Sequence, residues 1–149
     1  MSNATSHQLF INGRWRAGGS GATLPVINPA TEMVYASVAS ATISDLDEAL
    51  ASAERSRKAW SSWPAKDRGQ ILVAAAKILA AKVEAAARDL SAEQGKTIAE
   101  ASGEYARAVE TLEWNGTHAE ELSAPIPMGP NRVIIPEPLG VVAAFTPWN

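Results

Sequence analysis

At 149 residues the chain has the length of one ordinary domain and enough of it to bury a core. Hydrophobic residues at 46% and charged residues at 19% exclude a disordered chain, and a net charge of -3 leaves no basic stripe for nucleic-acid phosphates. No apolar run suits a bilayer, no signal peptide is legible at Met1 to Thr5, and the absence of cysteine rules out disulfides and thiolate metal sites within these residues. A cytosolic protein with neither a membrane nor a nucleic-acid partner is expected.

In chain order, Phe10, Ile11 and Trp15 flank Asn12-Gly13, the strongest short signal for a hairpin. Gly18-Gly19-Ser20-Gly21 is glycine-rich, but a phosphate cradle needs a helix after it, and Thr23-Leu24-Pro25-Val26 reads as another strand. The four residues therefore read as a flexible turn. Asn28-Pro29 marks a further turn, and Met33 to Ala39 alternates as a half-buried strand. These pieces predict a small antiparallel β unit.

Three helical stretches follow. Ser44-Asp45-Leu46-Asp47 has the form of a capping box, and the acids suit a helix start. Leu46, Leu50, Ala53 and Trp60 then share one face, and the stretch ends near Trp63-Pro64. Ala65 to about Gln94 is a second, alanine-rich stretch with Leu72, Leu79, Val83, Ala87 and Leu90 at helical spacing. Gly95 is placed to close it, and Thr97-Ile98-Ala99-Glu100 is another capping box, opening a third stretch to about Leu122.

Pro125 to Pro130 reads as a linker, and Arg132 to Glu137 as an edge strand because of Pro136. Val141 to Phe145, between Pro138-Leu139-Gly140 and Thr146-Pro147, reads as a strand covered on both faces, the first of a parallel sheet. Trp148 and Asn149 would then stand at the carboxyl edge of that sheet, where ligands bind in open α/β folds.

Four motifs carry a resemblance. Glu137-Pro138-Leu139-Gly140-Val141-Val142, followed by Thr146-Pro147-Trp148-Asn149, closely resembles a segment of the NAD(P)-dependent aldehyde dehydrogenases. Phe10 to Trp15 resembles the opening hairpin of that family, and Val26 to Thr31 its Asn-Pro-Ala-Thr-Gly turn, with Glu32 where glycine is common. Glu93-Gln94-Gly95-Lys96, with Ala99-Glu100-Ala101 and Gly103-Glu104, is most similar to the succinate-semialdehyde dehydrogenase branch. The resemblance implies an α/β fold in which residues 1–149 are the amino-terminal part of a cofactor-binding domain with a truncated Rossmann-like sheet. Residues 125–138 would include an oligomerisation strand of a homodimer or tetramer. A plain edge strand kept on its own subunit is the competing reading of that segment.

The same resemblance implies oxidation of an aldehyde, such as succinate semialdehyde, to a carboxylic acid, with hydride passing to NAD or NADP. Asn149 would donate to the developing oxyanion, while Thr146, Pro147 and Trp148, together with Asn149, would line the nicotinamide ribose. The Ile27 carbonyl and Glu93 match positions that hold a monovalent cation, and Trp114 resembles a residue near the aldehyde channel. Read without the family, Asn149 is a loop residue, Glu93 a solvated helix-end acid and Trp114 a core residue. The cysteine nucleophile and the glutamate base of the family have no counterpart here, so the 149 residues alone are expected to be inactive. A truncated, non-catalytic binding or assembly module of the same fold is the alternative.

Overall fold

A computed structural model describes residues 5–146. β1 (Thr5–His7), β4 (Thr23–Asn28) and β5 (Met33–Ala39) form a sheet in the order β1-β5-β4. β4 and β5 pair antiparallel, but β1 lies parallel to β5, with Thr5 opposite Ala36 and His7 opposite Val38. The expected all-antiparallel unit is thus corrected to a mixed sheet. β1 reaches the free edge of β5 only after the chain has made a hairpin and β4, and so long a connection permits parallel entry. That hairpin is β2 (Leu9–Ile11) with β3 (Arg14–Arg16), turned at Asn12 and Gly13 with φ of 53° and 74°. Both values suit a type I′ turn, as the sequence predicts.

The Asn28-Pro29 turn also forms. Asn28 Oδ1 accepts from the Ala30 N–H at 2.8 Å, and the Glu32 N–H returns to the Asn28 carbonyl at 2.8 Å. This leaves Glu32 at φ 56°. A side chain in the left-handed region costs on the order of 1 kcal/mol that glycine avoids, which accounts physically for a glycine at this point of the motif.

The helices are α1 (Ile43–Ser62), α2 (Ala65–Ala80), α3 (Val83–Gln94), α4 (Ile98–Thr117) and α5 (Ala119–Ser123). α1 starts one turn position earlier than Ser44 suggests: Thr42 is the cap, and its hydroxyl accepts from the Asp45 N–H at 3.2 Å. The long stretch from Ala65 to Gln94 breaks at Ala81-Lys82, where the Lys82 N–H tightens onto the Leu79 carbonyl at 2.8 Å. An alanine-rich run carries no residue that announces such a break. Gly95 closes α3 at φ 78°, and Thr97 with Glu100 forms the expected capping box of α4. The third stretch is interrupted once, at His118.

The core of the described residues is built from small side chains: Ile11, Ala36, Ala76, Ala87 and Ala101 are its buried hydrophobic members. Small residues let helices approach until backbone meets backbone. A Cβ on Gly69 of α2 would lie 2.2 Å from the Gly116 carbonyl of α4 and 2.8 Å from the Ala119 Cβ. The apolar stripe of α1, by contrast, is not covered by the described residues. Leu46, Leu50 and Trp60 remain 52%, 45% and 44% exposed, because α1 meets the β2–β3 hairpin on a different face, the one carrying Asp45, Glu48 and Ser52.

Two expectations about the last third are corrected. Pro125 to Pro130 is not a plain linker, and Arg132 to Glu137 is not a lone edge strand. β6 (Ile126–Pro127) and β7 (Val133–Ile134) form an antiparallel hairpin, closed by the Met128 N–H on the Arg132 carbonyl at 2.9 Å. Val141 to Phe145 takes no strand, since a ladder needs a neighbour and none is present among the described residues; Val142 and Phe145 stand 67% and 95% exposed.

The close contact of α2 with α4 generates a stability prediction. Gly69→Ala should lower the stability by about 1–3 kcal/mol through overpacking against the Gly116 carbonyl. Gly103→Ala on α4, where the added carbon meets only Arg107 Nη1 at 3.7 Å, should be neutral or stabilising by up to about 1 kcal/mol. Urea midpoints of the two variants check this, and equal effects would contradict it.

Candidate functional site

The strongest electrostatic centre of the described residues is Asp45, only 3% exposed in the first turn of α1. Its Oδ2 accepts from the Gly19 N–H at 2.9 Å, the Thr42 N–H at 2.7 Å and the Thr42 hydroxyl at 2.7 Å. Its Oδ1 pairs with Arg16 Nη1 at 2.7 Å, and Arg16 Nη2 reaches Glu48 Oε2 at 2.7 Å. The Gly19 amide, then the amide and hydroxyl of Thr42, and then Arg16 hold this carboxyl well below the usual carboxylate range. Beside it, Gly18 packs so tightly on Ser40 that a Cβ would fall 1.9 Å from the Ser40 carbonyl. The glycine-rich stretch is therefore not the free turn that the sequence suggests. It is the socket of an ion-paired anchor, and the signal that could have found it is an acid one turn into a helix facing an arginine on the preceding hairpin.

The residues singled out in the sequence are distributed unevenly. Pro147, Trp148 and Asn149 lie outside the described residues. Thr146 is exposed and belongs to no helix or strand, so its amide and carbonyl are not consumed by a ladder. The segment before it passes α1, where a Cβ on Gly140 would come within 3.3 Å of Arg57 Cδ. Glu93 lines a cavity of about 310 Å³ with Val26, Tyr35, Ala36, Val38 and Asp89. Ile27 does not line it, although its strand ends on α3: Pro29 abuts Gly95, whose added Cβ would lie 2.8 Å from Pro29 Cγ. In the cavity Tyr35 donates its hydroxyl to Asp89 Oδ1 at 2.6 Å, and this bond raises the Tyr35 pKa. Trp114 is 52% exposed rather than core, and stacks on His118 at 4.4 Å between ring centres. No described group of three or more His, Cys, Asp and Glu gathers as for a metal ion, and no described helix is long and apolar enough to cross a membrane.

Residues 15–149 match the sequence profile of the aldehyde dehydrogenase family. The chain belongs to that family. It is 36% identical to the 3-sulfolactaldehyde dehydrogenase of Pseudomonas putida, over 95% of this chain and 30% of that protein. It is 33% identical to the NADP(+) succinate-semialdehyde dehydrogenase GabD of Escherichia coli K12, over 99% of this chain and 32% of that protein. Its fold matches a betaine aldehyde dehydrogenase point variant from Staphylococcus aureus, solved with NAD+, at a TM-score of 0.77 and 25% identity, covering 85% of this chain and 26% of that one. The chain thus spans about a third of the length of the curated relatives it matches. Among aldehyde dehydrogenases the semialdehyde enzymes are therefore among its relatives, as the Glu93 to Glu104 motif suggests.

For this family member the anchor at Asp45 yields a pH prediction with a definite sign. The folded pKa lies below the unfolded one, so the contribution to stability is complete above the unfolded value, about 3.9, and is lost as pH falls through the folded value. Asp45→Asn should lower the urea midpoint at pH 7, and its midpoint should fall less steeply than that of the wild type below about pH 5. Parallel acid limbs in wild type and variant would contradict the assignment.

Proposed function

We propose that the chain serves as the amino-terminal part of an enzyme that oxidises an aldehyde carrying a distal acid group, such as succinate semialdehyde, to a carboxylic acid, with NAD or NADP as hydride acceptor. The observation that carries this reading is the family match running through Asn149, supported by the semialdehyde enzymes among the relatives. The chain's part in the chemistry is placement. Thr146, whose backbone groups are free of any ladder, would hold the nicotinamide ribose together with Pro147, Trp148 and Asn149. The bound nicotinamide supplies the hydride acceptor.

Asn149 would direct its amide donors at the aldehyde oxygen. When a thiolate adds to the carbonyl carbon, negative charge develops on that oxygen, and a fixed donor stabilises it more than it stabilises the neutral aldehyde. The thiol belongs to a part of the protein other than these cysteine-free 149 residues. The β6–β7 hairpin, with Ile126, Met128, Val133, Ile134 and Ile135 all exposed, is the surface through which a homodimer or tetramer would form. A cytoplasmic setting fits the same reading.

Glu93 and the Ile27 carbonyl would take a monovalent cation, a hard ion suited to oxygen ligands. The expected outcome is a melting temperature higher in potassium chloride than in choline chloride at equal ionic strength, with the difference abolished in Glu93→Gln. A salt effect indifferent to the cation would remove this site from the proposal.

Activity tests the role of Asn149. Asn149→Ala removes the donor without changing charge, so kcat should fall on the order of 10²-fold or more while the Kd for cofactor stays near wild type. Asn149→Asp should fall further, because a carboxylate repels the forming oxyanion. Near-normal kcat with collapsed cofactor affinity would make Asn149 a cofactor residue instead.

A further inference from the structure

The face of α4 that begins at the α3–α4 turn carries a groove of about 350 Å³, lined by Lys96, Ala99, Glu100, Gly103, Glu104 and Arg107. Their spacing by three and four residues places them along a single helix face. Four of the six are charged, and three of those four are committed. Lys96 Nζ is paired with Glu104 Oε2. Glu100 Oε2 accepts from the Thr97 N–H at 3.1 Å and the Thr97 hydroxyl at 2.9 Å, completing the helix cap. Arg107 alone has no ion pair among the described residues.

That is not for want of carboxylates within reach. Glu104 stands three residues before Arg107 and Glu110 three after it, the spacing at which helical ion pairs form. Lys96 draws Glu104 away towards the turn, and Glu110 makes no bond to the guanidinium. Gly103 contributes the remaining feature. Its missing side chain leaves bare backbone under Arg107, whose Nη1 lies 3.7 Å from where a Cβ would be. The result is a guanidinium with its donor fork unspent, opening on a groove whose other charges are already partnered.

We propose that Arg107 binds the distal acid group of the substrate and thereby selects short aldehydes that end in a carboxylate or sulfonate. This rests on the aldehyde-oxidising function proposed above and supplies the cation that an acid-bearing aldehyde needs. A planar guanidinium matches a carboxylate with two parallel hydrogen bonds, which an uncharged aldehyde of equal length cannot accept. The Lys96–Glu104 pair acts as a positioning element, because releasing Glu104 would give Arg107 an internal carboxylate.

Two measurements test the proposal and separate it from the function on which it rests. In the 149-residue chain, succinate should shift the Arg107 Nε–Hε resonance saturably, whereas succinamide should not, and Lys96→Met should weaken the succinate response. Absence of a succinate-dependent shift overturns the anion site. In the active enzyme, Arg107→Gln should lower kcat/KM for succinate semialdehyde by about 10–100-fold, mostly through KM, as for loss of hydrogen bonds to a charged group. Butanal turnover should change less than about twofold by the same reasoning, and Arg107→Lys should restore part of the loss. An equal loss on both aldehydes overturns the role of Arg107 in selection. Failure to oxidise either aldehyde with wild-type protein overturns the oxidation function, and the succinate titration then decides the anion site on its own.

Discussion

A single carboxylate organises the front of this chain. Asp45 is taken out of water at the start of α1 and repaid by the Gly19 amide, the Thr42 amide and hydroxyl, and the Arg16 guanidinium. A buried charge is tolerable only when its lone pairs are filled in this way, so each partner is constrained as strictly as the acid itself. The β2–β3 hairpin, the glycine turn and the cap of α1 are consequently one unit. The contact from Ser52 Oγ to Asn12 Oδ1 at 3.1 Å extends the same seam to the hairpin tip. Along that seam α1 presents its polar face to the hairpin, which leaves Leu46, Leu50 and Trp60 facing away.

The rest of the packing relies on small residues rather than large ones. α2 and α4 touch through Gly69 and Gly116, and the buried alanines at 76, 87 and 101 continue that close fit. α3 is tied to the sheet by the Tyr35–Asp89 bond and by Pro29 lying on Gly95. Beyond α5 the character changes: the hairpin β6–β7 and residues 137–146 expose apolar side chains almost without relief, Leu139 and Phe145 at 95%. Groups of that size left in water form surfaces that other chain segments or subunits cover. Both the oligomerisation surface and the approach to Asn149 fall in this part of the chain.

Much of this was legible in the sequence because the signals are local. Asn12-Gly13, Thr97 to Glu100 and Gly95 each specify a turn or a cap through a backbone preference that does not depend on distant residues. What was not legible depended on partners far along the chain. The cap of α1 is Thr42 and not Ser44 because Asp45 is engaged by Arg16 and Gly19, which no window around Ser44 reveals. Val141 to Phe145 has the composition of a buried strand, yet a strand is a property of a pair, and its neighbours are absent from the described residues. The parallel pairing of β1 is non-local in the same sense. Of the candidate site, the family motifs located Asn149 and Glu93 by position, while the free guanidinium of Arg107 emerged only once its neighbouring charges were seen to be spent.

The account treats these residues as the part of an aldehyde dehydrogenase that holds the nicotinamide and one oxyanion donor, working with a thiol supplied from outside them. The most direct test is complementation. The chain is combined with a cysteine-bearing polypeptide comprising the rest of the family's domain, and reduced nicotinamide formation is followed spectrophotometrically with succinate semialdehyde. The account predicts formation by the combination, none by either part alone, and loss of the signal when the thiol is alkylated. Reduced nicotinamide formed by the 149-residue chain alone, or by the combination after alkylation, would contradict it.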